Sequence, residues 1–291
     1  MTVFKTDIKV EDPAYENIRD GQHPMEIFGR NLTNQLWETF QPFSDQHFTE
    51  QLAIDFDARF WEMDLTVDLI RQGFDVSCPK PGPDVCLNVD ERRVWIEAIA
   101  PKEGEGADKV PEVVTGEAHA VPNDRIILRY TSAIAEKYNK YLEYLKSEII
   151  APDEPFVIAI NGCQIPSARA DFEPPRIVRS VFPIGHEYLT VDKKSGDVVD
   201  SGFEFRLSVQ KENGTEIPIN HFINSEYSGI SAIIFSCSDC CNRPKENNDW
   251  VIVHNPLATN PIASDMISSH REYIATPVDG DTYKLECKRR E

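Results

Sequence analysis

Four side chains in the first half of the chain could do chemistry together: Glu62, Asp84, Glu97 and Lys137. The stretch PKPGPDVCLNVDERRVWIEAIA, residues 79–100, reads as two strands of a hairpin. Asp84 opens the first strand after a Pro-Gly-Pro turn, and Glu97 sits in the middle of the second. Strand side chains alternate between faces, so Val94, Ile96, Ala98 and Ala100 share one face and Trp95, Glu97 and Ile99 the other. A carboxylate among Val, Trp and Ile is expensive to bury unless it is paired or holds a cation. Two carboxylates from neighbouring strands are the usual oxygen-rich seat for Mg²⁺.

The elements that must position these groups follow from periodicity. Residues 25–40 carry apolar side chains at helical spacing, and residues 46–54 form a second helical stretch behind Ser44 as its cap. A third helix begins near Asp55 and stops at Gly73, a good residue for the position after a helix end. Seven residues return almost to the same azimuth, which lines Glu62 up with Leu65 and Leu69 on the inward stripe; the alternative is a solvated face. Residues 74–78 read as a strand, followed by the hairpin. Residues 102–124 are Gly- and Glu-rich without a period, a flexible flap or lid rather than packing. A long helix is predicted over residues 125–150 with Asp124 as its cap. Lys137 falls in its apolar stripe between Ile134 and Tyr141, where a lysine either snorkels to an edge or points at a site. PFVIAIN, residues 155–161, has the apolar run of a central strand.

Beyond it, residues 187–209 read as an antiparallel pair outside the core, and ISAIIFS and WVIVH as two more buried strands. A short helix is predicted over residues 264–273, with a peripheral charged tail. Residues 1–24 are expected to be an irregular arm. The domain reading is an N-terminal arm with helices over residues 1–54, packed on a catalytic-type domain over residues 55–291.

Composition limits the partners. The chain has 291 residues, 41% hydrophobic and 27% charged, with a formal net charge of −19. That charge opposes non-specific coating of nucleic acid, which rests on Lys and Arg, but allows a locally basic cleft. No apolar run is long enough to cross a bilayer, so no membrane partner is expected. The start MTVFKTDIKVED has no apolar h-region, and seven scattered cysteines argue for reduced thiols, which together point to the cytoplasm.

A helix with an inward Glu, a three-strand meander with Pro83-Asp84 on its second strand and an apolar-flanked Glu97 on its third, then a helix and a further strand, resembles the PD-(D/E)xK nuclease superfamily. The resemblance covers about residues 55–161. It implies an α/β, restriction-endonuclease-like core (αβββαβ, a mixed central sheet flanked by helices), with an N-terminal helical extension and C-terminal strands. It implies that Asp84 and Glu97, with the backbone carbonyl of Ala98, bind Mg²⁺ (Mn²⁺ substituting), and that Glu62 adds a ligand or positions a metal water. The implied activity is metal-dependent phosphodiester hydrolysis, DNA before RNA as substrate, with a metal-activated water as nucleophile. A homodimer would let two such sites cut two strands; so acidic a nuclease would otherwise depend on a recruiting protein partner.

The pattern departs in one place. Two residues after Glu97, where the family puts its lysine, stands Ile99. Lys137 is the candidate for a lysine migrated to the following helix, where it would orient or deprotonate the attacking water. Lys102 is the second choice. Arg125, Arg129, Lys137 and Lys140 form the best basic strip for DNA. The alternative is a catalytically silent, nuclease-fold interaction or regulatory protein, since fold does not fix function. Cys237, Cys240 and Cys241 invite a zinc reading, but no fourth ligand lies nearby in sequence, and free thiols are preferred. His254, Asn255 and the tyrosines at 130, 138, 141 and 144 read as turn and core.

Overall fold

The computed structural model describes residues 2–244, 249–279 and 282–289. Four helices come first: α1 (Pro13–Asp20), α2 (Pro24–Phe40), α3 (Phe48–Leu52) and α4 (Phe56–Arg71). Asp12 and Asp55 cap α1 and α4 by accepting backbone N–H groups, and Gly73 closes α4 with φ of 90°. Then follow β1 (Asp75–Ser77), β2 (Val85–Val89), β3 (Arg92–Ile99), α5 (Asn123–Lys146) and β4 (Phe156–Asn161). The short helix α6 (Arg176–Arg179) leads to two outlying ribbons, β5 (Ile184–Val191) with β6 (Val198–Phe205) and β7 (Ser208–Gln210) with β8 (Glu216–Pro218). Last come β9 (Ile230–Ser236), β10 (Val251–His254), β11 (Arg271–Asp279) and β12 (Thr282–Arg289).

The protein is α/β, with one large mixed sheet flanked by helices. Among the described residues the sheet order is β1-β2-β3-β4-β9-β10-β11-β12. The first three strands are antiparallel neighbours, and β3, β4 and β9 run parallel. Asp90 and Glu91, both with positive φ, make the two-residue turn between β2 and β3. So tight a turn fixes the register, and Val85 pairs with Ile96.

The helices cover the two faces of the sheet. α5 packs Tyr130, Ile134 and Tyr141 on a cluster with Trp95, Phe156, Ile158 and Phe235. On the other face α4 packs Trp61, Leu65 and Leu69 against Val94, Ile96, Val157 and Ile234. The Trp61 indole N–H also donates to the Ala159 carbonyl at 3.1 Å. The far side of α4, with Phe56, Phe60, Met63 and Val67, is covered by the N-terminal segment and helices. A helix buried on both sides has no solvent stripe, which is why its apolar pattern is weak and nearly continuous.

Several expectations need correction. The N-terminal arm is not irregular, because Asp12-Pro13 starts α1: the aspartate caps and the proline takes a position where no helical N–H is needed. Asp124 does not cap α5; Pro122 stands at that position and Asp124 pairs with Arg206 at 2.7 Å. The helix expected over residues 264–273 is absent, and β11 starts at Arg271 and pairs parallel with β10. The charged tail supplies β12, the sheet's edge strand, as far as it is described. None of the described helices is long and apolar enough to cross a membrane.

Candidate acidic site between α4, the hairpin and α5

Asp84 lies one position beyond the last β2 pair, so the register that joins Val85 to Ile96 brings it opposite Glu97. Directly opposed residues of an antiparallel pair put their side chains on the same face. Asp84 is held there by its own strand partner: the Ala98 N–H donates to Asp84 Oδ2 at 2.8 Å. Glu97 is fully buried, on the face that α5 covers.

α5 answers Glu97 with three groups rather than one. Lys137 Nζ is 3.2 Å from Glu97 Oε1, and Lys140 Nζ is 2.5 Å from the same oxygen. The Tyr144 hydroxyl is 3.2 Å from both Glu97 Oε2 and the Gly82 carbonyl. Residues 137, 140 and 144 are spaced by three and four, one face of a helix. Lys137 therefore points at the site, with only 12% of its side chain exposed. Lys140 and Tyr144 are the groups that the sequence reading assigned elsewhere.

Glu62 belongs to α4, which covers the other face of the sheet, and it feels the site through the Asp84 charge. It is buried and bound by Arg59 Nη1 at 2.5 Å. Burial first, and then the Asp84 charge, push its carboxyl up to about 7, against the pull of Arg59 and Lys80. Burial and then Asp84 also raise Glu97, against Lys137 and Lys140. Asp84 is thus the charge that both other acids feel. Lys80 Nζ stands 3.8 Å from it. Burial works against the Lys140 ammonium, but Glu97 outweighs it and holds the amine above its ordinary value. Burial and Glu97 push the Tyr144 phenol up to about 12.

Glu62, Asp84 and Glu97 do not form a tight ligand triad. Among the described residues, the one group of three His, Cys, Asp or Glu side chains whose ligand atoms close to within 4.8 Å is Asp239, Cys240 and Cys241. Each acid of the Asp84 site has its own organic counter-ion instead. With all four acids ionised, Glu62, Asp84, Glu97 and the exposed Glu136 balance Arg59, Lys80, Lys137 and Lys140; with Glu62 raised to about 7, the region is neutral to slightly cationic near neutral pH, in a strongly acidic chain.

The other sequence candidates are engaged elsewhere. Lys102 binds Asp55 Oδ2 at 2.9 Å. The basic strip on α5 is not a row of free cations. Arg125 binds Glu212 and the Lys109 carbonyl, Arg129 binds the Lys102 carbonyl, and both lysines bind Glu97. His254 pairs with Glu272, and the Asn255 amide donates to the Tyr227 and Ile230 carbonyls, so both belong to the strand-end turn. No protein-family model, no curated protein and no solved structure matches the chain, so its chemistry has to be read from the side chains themselves.

Proposed function

We propose that the chain is a divalent-cation-dependent phosphodiesterase with a restriction-endonuclease-like core, acting on DNA before RNA. One observation supports this reading: within the element order αβββαβ, Asp84 lies opposite Glu97 across the β2–β3 pair, Lys137 reaches Glu97 from α5, and the Asp84 charge acts on both Glu97 and the α4 residue Glu62. The donors fit a hard cation, because Asp84 and Glu97 offer only oxygen. With the Ala98 carbonyl they would hold Mg²⁺, or Mn²⁺ in its place. The ion would make a bound water acidic and offset charge on the phosphoryl oxygens.

The chain's own residues would do the rest. Lys137, on the buried side of α5, orients the attacking water and shuttles its proton through Nζ. Glu62 acts as the auxiliary acid. Lys140 is the more exposed amine, at 42% against 12%, and leaves Glu97 when a cation enters. This local charge balance lessens the objection from the net charge of −19: a divalent ion makes the site more cationic where a phosphodiester would lie.

A second reading is a catalytically silent interaction protein on this scaffold. It is favoured by the saturation of Glu97, which already has two amines and a phenol, and by Ile99 in the lysine position of the family pattern. Mn²⁺-dependent thermal stabilisation and nicking of supercoiled DNA separate the two. The enzyme loses both in Glu97→Ala. If neither Mn²⁺ nor that substitution changes anything, the silent reading replaces the enzyme.

A further inference from the structure

A second cluster lies outside this site, where the segment after β9 meets α2. Cys240 and Cys241 are consecutive, and their sulfurs are 3.7 Å apart. Two thiolates on one tetrahedral zinc, each at ~2.3 Å, sit about 3.7–3.8 Å apart, whereas a disulfide needs ~2.05 Å. A carboxylate oxygen of Asp239 lies within 4.8 Å of both sulfurs. Cys237, the third cysteine of the sequence cluster, is not part of this group; its N–H donates to Asp249 Oδ2.

Three features make this more than two neighbouring thiols. Asp239 is fixed as a ligating carboxylate usually is: Oδ1 accepts the Cys241 and Asn242 N–H groups, and Oδ2 binds Arg169. The charge suits a cation as well. Two thiolates and one carboxylate against Arg169 leave two negative charges, and Asp57 adds to them, so a divalent ion offsets the local charge. Finally, α2 is cut away for the sulfurs. A Cβ at Gly29 would stand 3.0 Å from Cys240 Sγ and 3.2 Å from Cys241 Sγ. The Met25 carbonyl is 3.5 Å from the Cys241 sulfur.

We propose that Asp239, Cys240 and Cys241 form a site for one zinc-class divalent cation, distinct from the oxygen-only Asp84 site. Binding breaks two S–H bonds, releases both protons to solvent and forms two metal–thiolate bonds. Three protein donors leave one of four positions for water or an outside ligand. All three donors come from one segment, so the ion stiffens the turn after β9, against whose sulfurs Met25 and Gly29 of α2 pack.

The test uses the full chain, reduced and stripped with a chelator, titrated with Zn²⁺ against a competing indicator and with Cd²⁺ followed by sulfur-to-metal charge-transfer absorbance. The expected result is one tight equivalent of Zn²⁺, a thiolate–Cd²⁺ band and a Tm higher by roughly 5 °C with excess ion. Cys240→Ser/Cys241→Ser should abolish both signals, and Asp239→Asn should weaken binding about tenfold or more. Should the double variant not fold, Cys241→Ser, at a half-exposed position, should still remove the Cd²⁺ band. Glu97→Gln should leave zinc binding unchanged, which keeps this site separable from the Mg²⁺ reading. Absence of stoichiometric binding by the unsubstituted chain, or equal binding by a cysteine variant, overturns the proposal.

Discussion

Asp84 stands across the β2–β3 pair from Glu97, anchored by the Ala98 N–H at 2.8 Å, and its charge helps raise both Glu97 and Glu62. It is therefore the electrostatic centre of the acidic site, although Glu97 is the more deeply buried. Asp84→Asn removes that charge with little change of shape. Glu62 and Glu97 should then both titrate lower, as followed by carboxyl NMR. Mn²⁺ stabilisation should disappear, and any DNA cleavage should fall roughly 100-fold or more. If Glu62 and Glu97 titrate as before, Asp84 is not the charge they share.

The two lysines on Glu97 should behave in opposite ways. On the phosphodiesterase reading, Lys137→Met should cut cleavage about 10²–10³-fold while Mn²⁺ still raises Tm, because the proposed water-orienting amine is lost and the proposed ligands remain. Lys140→Met should raise apparent Mn²⁺ affinity about tenfold, because it removes an ammonium that competes for Glu97 Oε1 at 2.5 Å. Thermal shift against Mn²⁺ concentration reads both. A Lys140 variant that binds Mn²⁺ more weakly would contradict displacement of this amine.

Sequence reading reached the element order because α5 and the hairpin carry strong local patterns, while α4, buried on both sides, is bounded by its Asp55 cap and Gly73. Alternation along residues 94–100 even assigned Glu97 to the face of Trp95 and Ile99, as observed. Lys140 and Tyr144 were misread for a different reason. Helical azimuth says that a side chain points inward, but which strand residue it meets depends on a register set by the Asp90–Glu91 turn, a pair without glycine. β12 was legible in principle, since Tyr283, Leu285 and Cys287 alternate with polar residues, but charge hid an edge strand that tolerates it. The engaged state of Arg125 and Arg129 could not be read, because their partners are carbonyls and a distant glutamate.

Glu62 makes stability depend on pH in a definite direction. Its folded carboxyl, raised by burial and then by Asp84 to about 7, binds its proton more tightly than in the unfolded chain, where the value is 4.5. The stabilising contribution is complete below that unfolded value and is lost as pH rises through about 7. Glu62→Gln should flatten the fall between these limits by up to roughly 3 kcal/mol, measured by urea unfolding across pH. An unchanged slope would mean that Glu62 is ionised in the fold throughout.

Arg243 is the clasp between α4 and the segment after β9. Its Nε is 2.6 Å from Asp64 Oδ1, its other arm binds Asp68, and both acids are buried. Arg243→Met strands the buried Asp64 and leaves Asp68 with Arg71 alone, at 3.1 Å, and leaving a buried carboxylate unpaired typically costs about 3–5 kcal/mol at neutral pH. Burial pushes the Asp64 carboxyl up to about 7 even with Arg243 beside it. The variant can therefore relieve part of the penalty by taking up a proton. Its destabilisation should shrink when unfolding is measured near pH 5, and Asp64→Asn added to Arg243→Met should recover stability at neutral pH. A cost below about 1 kcal/mol at both pH values would show that the fold does not depend on this pairing.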